Sequence, residues 1–132
     1  MRYVVLGARV LLGALFVVFG LNNLLHFIKM PPPSGDALTW IVIMSEHHWM
    51  NFVGVEQLVG GLLVLVGRFV PLGLTLLAPV IVNILLYHAL LWPHGAGVAV
   101  VALLLELFLL AVYWRSFAPL LHPNPEMTTP KL

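Results

Sequence analysis

The chain has 132 residues, of which 61% are hydrophobic and only 8% charged, against about 25% charged in ordinary soluble domains. A soluble domain of this size has no means of burying so many Leu and Val side chains, so the bilayer must solvate most of the surface. A net charge near +1 with scattered basic residues gives no sign of nucleic-acid binding, and the lack of cysteine excludes disulfides, thiolate metal sites and thiol redox chemistry.

The first apolar segment, about residues 3–27, starts Met-Arg-Tyr-Val-Val-Leu like a signal peptide. It runs on for roughly 25 residues with no small-residue cleavage site, which reads as a retained first span. Lys29 and Pro31-Pro32-Pro33 end it. Residues 28–48 form the one long connection. Within it, Asp36 to Glu46 carries Leu38, Trp40, Ile41, Ile43 and Met44, which suits a short interfacial helix with Trp40 and Trp49 at headgroup level. An ordered loop without function fits the same residues.

The second span, about 49–67, is apolar yet holds Glu56 and Gln57, followed one turn on by Gly60 and Gly61. A carboxylate inside lipid costs a few kcal/mol and must face protein or water, while paired glycines allow close helix approach. Gly67-Arg68-Phe69-Val70-Pro71 reads as a tight turn into a third span, about 71–91, which Pro79 is expected to kink. Trp92-Pro93-His94-Gly95 turns the chain into a fourth span, about 95–117. The Pro- and Thr-rich tail 118–132 reads as flexible. The expected fold is therefore an all-α integral membrane protein, with residues 1–117 forming an up-down four-helix transmembrane bundle.

Orientation follows from the basic residues. Starting the first helix in the cytoplasm puts Arg2, Arg9, Arg68, Arg115 and Lys131 on that side and leaves only Lys29 outside. The expectation is a multi-pass cell-membrane protein with both termini cytoplasmic. At about 1.5 Å per residue, Glu56 lies roughly 10 Å and Asn83 roughly 12 Å in from the outer helix ends. Asn22, Asn23, His26 and His88 lie nearer that surface, and Glu106 is close to the midplane. Polar groups of all four spans thus gather in the outer half. Asn23, His26, Glu56, Asn83 and His88 are the candidates for ligand binding or proton handling. Glu56 is expected to be neutral and hydrogen-bonded to Asn23, Asn83 or Gln57. Arg9 lies at nearly the depth of Glu106 and is expected to pair with it, with snorkelling to the headgroups as the alternative. Each polar group can equally be interhelical glue. His26 and His88 stand as two haem ligands would, but no motif supports haem, and Glu46, His47 and His48 do not make a metal site by adjacency alone.

Several stretches resemble DoxX-family membrane proteins: Ala8-Arg9-Val10-Leu11-Leu12-Gly13 through Phe19-Gly20-Leu21-Asn22-Asn23, and His26-Phe27 before Met30-Pro31-Pro32. The likeness continues in Val55-Glu56, Gly60-Gly61-Leu62, Gly67 to Leu72, Ala78-Pro79 with Asn83-Ile84-Leu85, and Glu106-Leu107. It covers about residues 8–117. It implies a small, roughly four-helix prokaryotic membrane protein. The family takes its name from an association with archaeal thiosulfate:quinone oxidoreductase, and other members look like membrane partners of soluble redox enzymes. No agreed catalytic residues come with it. The expected function is binding of a quinone or another small apolar ligand as a redox-associated membrane subunit. A non-catalytic assembly subunit, docked to other membrane or redox proteins or to copies of itself, is the main alternative. A small proton-coupled transporter ranks below both, because four spans without an inverted repeat argue against it.

Overall fold

The computed structural model describes residues 1–129 and is helical, with no strand among them. The helices are α1 (Arg2–Leu25), α2 (Asp36–Glu46), α3 (Trp49–Val66), α4 (Val70–Leu90), α5 (Ala96–Val112) and α6 (Trp114–Phe117), followed by a 3-10 turn, Ala118–Leu121. Three of them, α1, α3 and α4, are long and apolar enough to cross a membrane, and α5 with the segment after it makes a fourth if that bent pair counts as one span. This is consistent with a multi-pass membrane protein.

Local chemistry sets the boundaries. α1 stops at Leu25, two residues earlier than expected, because His26 adopts a left-handed conformation (φ 53°) and its N–H closes on the Asn22 carbonyl at 2.8 Å. The Asn22 side chain then accepts from the Ile28 N–H at 2.7 Å, tying the start of the connection back to the helix. The interfacial segment is helical over the expected residues, and its Ala37 is completely buried. α4 continues through Pro79 without a break. The fourth apolar segment departs from expectation. It ends as a helix at Val112, and the chain after it turns by 79°. α5 alone has 17 residues, or about 25 Å of rise. The last three residues of the expected flexible tail, and with them Lys131, lie outside the described residues.

α1 packs on α3 and α5, α3 on α4, and α4 on α5, while α2 lies against α3. The core between the long helices is aliphatic: Leu12, Phe16, Val64, Leu74, Leu77, Ile81 and Leu109 are fully buried. Glycine contacts fix the α1–α3 approach. A Cβ on Gly61 would lie 2.9 Å from both the Gly13 carbonyl oxygen and the Val17 nitrogen, and one on Gly20 only 2.7 Å from the Gly54 oxygen. Gly13 therefore faces Gly61 and Gly20 faces Gly54, so the two helices run antiparallel with their backbones in contact. Gly60 points elsewhere, at Leu77 and Gly73 of α4. The adjacent glycines of α3 thus serve two different neighbours.

Candidate functional site

The glycine register brings α1 and α3 close enough for short polar side chains to meet. Asn23, one turn beyond Gly20, donates its amide N–H to the Gln57 carbonyl oxygen at 2.7 Å, and Gln57 is buried. Gln57 lies one turn from both Gly54 and Gly61, on the face of α3 that meets α1. Its neighbour Glu56 is rotated by about 100° and lies one turn from Gly60, whose face meets α4. Glu56 is half-buried there. Neither asparagine expected to satisfy it does so: Asn23 bonds Gln57, and the Asn83 amide donates to the carbonyl of Pro79 in its own helix at 2.9 Å.

The expected Arg9–Glu106 ion pair is not formed. Arg9 Nε donates to the Val64 carbonyl at 3.2 Å, and the guanidinium lies against the backbone of Gly67. Val64 is in the last turn of α3, where the helix leaves its carbonyls unpaired and the dipole presents negative charge. Arg9 thus caps α3 from the neighbouring helix. Gly67 is required there twice over, because its φ of 81° favours glycine and a Cβ would occupy the volume of the guanidinium. Glu106 is 2% exposed, and neither of its carboxyl oxygens has a hydrogen-bond partner among the described residues. It sits between Ala102 and Leu109, one turn away on either side, and both of these belong to the aliphatic core.

At the other end of the helices, where α1 runs into the long connection, α2 brings Trp40 against Tyr87 of α4, ring centroids 5.2 Å apart. Tyr87 also meets the edge of His88 at 5.2 Å. His88 Nδ1 lies 2.8 Å from the Trp92 carbonyl oxygen. A carbonyl only accepts, so Nδ1 is the donor of this bond. Between α2 and α4 lies a cleft of about 200 Å³, lined by Trp40, Asn83, Leu86, Tyr87, Leu90 and Leu91. Asn83, Leu86 and Leu90 are exposed, so the cleft opens to the surroundings of the helices. Asn83 spends one N–H on Pro79 and keeps its carbonyl oxygen as an acceptor beside the Tyr87 phenol, one turn away.

Of the sequence candidates, only Asn83 lines this cleft, with His88 adjoining it through Tyr87. Asn23 belongs to the α1–α3 interface. His26 is exposed at the end of α1, and Glu56 is not among the lining residues. Tyr87 and Trp40 were missed as site residues. The available signal was the four-residue step from Asn83 to Tyr87, which puts an amide and a phenol on one helix face. Among the described residues no group of three or more His, Asp or Glu side chains converges as a metal site would. No family model, no curated protein and no solved structure matches the chain.

Proposed function

We propose that this is a DoxX-like cell-membrane protein, an up-down four-helix bundle with both termini cytoplasmic, that binds a quinone headgroup or a similar small apolar ring and presents it to a partner redox protein. The observation that carries this reading is the α2–α4 cleft. Its walls are aromatic and aliphatic, and its polar groups are few: the Asn83 amide, the Tyr87 phenol and the Trp40 indole. Sites for apolar cofactors combine such walls with a small number of orienting hydrogen-bonding groups. At about 200 Å³ the cleft is smaller than the roughly 300–1,000 Å³ of an enclosing pocket, which suits a ring whose tail stays in the bilayer. A quinone carbonyl would accept from the Tyr87 hydroxyl, and a quinol hydroxyl would donate to the Asn83 oxygen.

Titrating the detergent-purified chain with a short-chain quinone tests the reading. Tyr87→Phe and Asn83→Leu are each expected to weaken binding roughly 2- to 10-fold, the worth of one hydrogen bond of about 0.5–1.5 kcal/mol. Glu56→Gln is expected to bind like the parent. A parent that binds no quinone, or two cleft variants indistinguishable from it, refutes the site. Orientation is testable separately, because a chain without cysteine accepts single-cysteine labelling at Ser34 and Ser116. Labelling of Ser34→Cys from the cytoplasm would reverse the topology.

The assembly-subunit reading rests on a different observation. The Asn23–Gln57 pair is satisfied inside the chain, between two glycine-packed helices, so part of the polar convergence is register-setting glue that needs no ligand. Failure of quinone binding, with co-purification of a second membrane protein, would favour it.

A further inference from the structure

A second groove lies at the opposite end of the helices from the α2–α4 cleft. It measures about 470 Å³ and is lined by Met1, Arg2, Tyr3, Val5, Leu6 and Arg9 of α1. The lining holds two guanidiniums and no carboxylate. Arg2 and Arg9 are seven residues apart, which places them on one face of the helix, about 10 Å apart along its axis. Side chains of arginine length can close on a single group between them.

The position of Arg9 shows where this groove sits. Its guanidinium lies at the end of α3, on Val64 and Gly67. The start of α1 therefore lies beside the α3–α4 turn: Ala8 and Val5 pack on the core, while Tyr3 is 82% exposed and a Cβ on Gly7 would meet nothing within 4 Å. With Arg9 at the hydrocarbon boundary, Arg2 would reach the outer part of the headgroup layer, which is about 5–8 Å deep on each side of a bilayer. One of the five N–H donors of Arg9 is spent on Val64, which holds the planar fork in place and leaves the others to pair with an anion. Val5 and Leu6 supply an apolar wall below, and Tyr3 has the amphipathic ring favoured at this level.

We propose that the groove binds the phosphate of an anionic phospholipid, bracketed by Arg2 and Arg9, with the first part of an acyl chain against Val5 and Leu6. Basic pockets at the membrane boundary recognise anionic headgroups through this combination of fixed guanidiniums and an apolar floor. The site is separate from the α2–α4 cleft and does not depend on quinone binding.

Native mass spectrometry of the full chain in mild detergent tests it, with equal amounts of phosphatidylglycerol and phosphatidylcholine of the same acyl chains. Retained phosphatidylglycerol is expected to exceed phosphatidylcholine by about fivefold or more, and Arg2→Gln is expected to cut that retention about fivefold. Arg2 is exposed in the first turn of α1, so its replacement leaves the fold intact. Arg68→Gln removes the same charge outside the groove and is expected to change retention by less than about twofold. Equal retention of the two lipids, or equal losses in the two variants, overturns the proposal. So does displacement of the lipid by inorganic phosphate, which would assign the groove to a free anion.

Discussion

Replacing Gly61 by alanine adds one carbon where two backbones touch. The new Cβ would lie 2.9 Å from the Gly13 carbonyl oxygen, 2.9 Å from the Val17 nitrogen and 3.2 Å from the Phe16 carbonyl carbon. All three are main-chain atoms of a helix, so no rotamer change relieves them. Restoring ordinary contact at about 3.4–4 Å requires α1 and α3 to part by roughly 0.5–1 Å, a gap that forfeits a quarter to a half of each facing dispersion contact. Overpacking of this kind costs about 1–3 kcal/mol. The same displacement stretches the 2.7 Å Asn23–Gln57 bond one turn away, and an interhelical bond in a membrane contributes about 0.6–1.7 kcal/mol. Gly61→Ala is therefore expected to destabilise the protein by about 2–4 kcal/mol. Gly7→Ala is the control. Its Cβ meets nothing within 4 Å, so removing a helical glycine there should stabilise by about 0.5–1 kcal/mol. The assay is reversible unfolding in mixed micelles, followed by circular dichroism. Gly61→Ala and Gly7→Ala variants within about 0.5 kcal/mol of each other would refute the close backbone contact.

Three further outcomes are expected. Arg9→Gln should cost about 0.5–2 kcal/mol through loss of the α3 cap, and its effect should add to that of Glu106→Gln within about 0.5 kcal/mol. Coupling between the two would restore the ion pair that the structure lacks. Glu106→Met should stabilise by about 1–3 kcal/mol, since it removes a buried group that has no partner among the described residues and keeps most of its volume; a loss of stability in the same unfolding assay would show that Glu106 has a partner. The Asn23→Leu/Gln57→Leu double variant should be less destabilised than the sum of the two single variants, because each single change strands an amide that the double removes. Strict additivity in a double-mutant cycle would dissolve the pair.

What could be read from residues alone is the part fixed by local and solvent physics. Apolar runs longer than the hydrocarbon core identify the helices that can span. Gly67 and Pro71 place the break between α3 and α4, because they limit the backbone whatever surrounds it, whereas α1 stops at His26, before the prolines are reached. The pattern from Asp36 to Glu46 suits a short helix and an ordered loop alike, and the fold makes it a helix. Partner choice is different, since it depends on how each helix is rotated and shifted against its neighbours. Glu56 and Gln57 are adjacent in sequence and point about 100° apart. Only the meeting of Gly13 with Gly61 and Gly20 with Gly54 decides that Gln57, rather than Glu56, receives Asn23. Rise per residue along the helices sets Arg9 and Glu106 at nearly one level, but depth is a single coordinate. The rotation of α1 turns Arg9 to the end of α3, where unpaired carbonyls supply a nearer negative site. The bend at Tyr113 was hidden for a related reason: hydropathy continues through Trp114 and Phe117, and it measures solvent preference rather than the direction of the chain. The bilayer requirement is written in composition, residue by residue. Which polar side chains meet is a property of pairs of helices, and it exists only once they are packed.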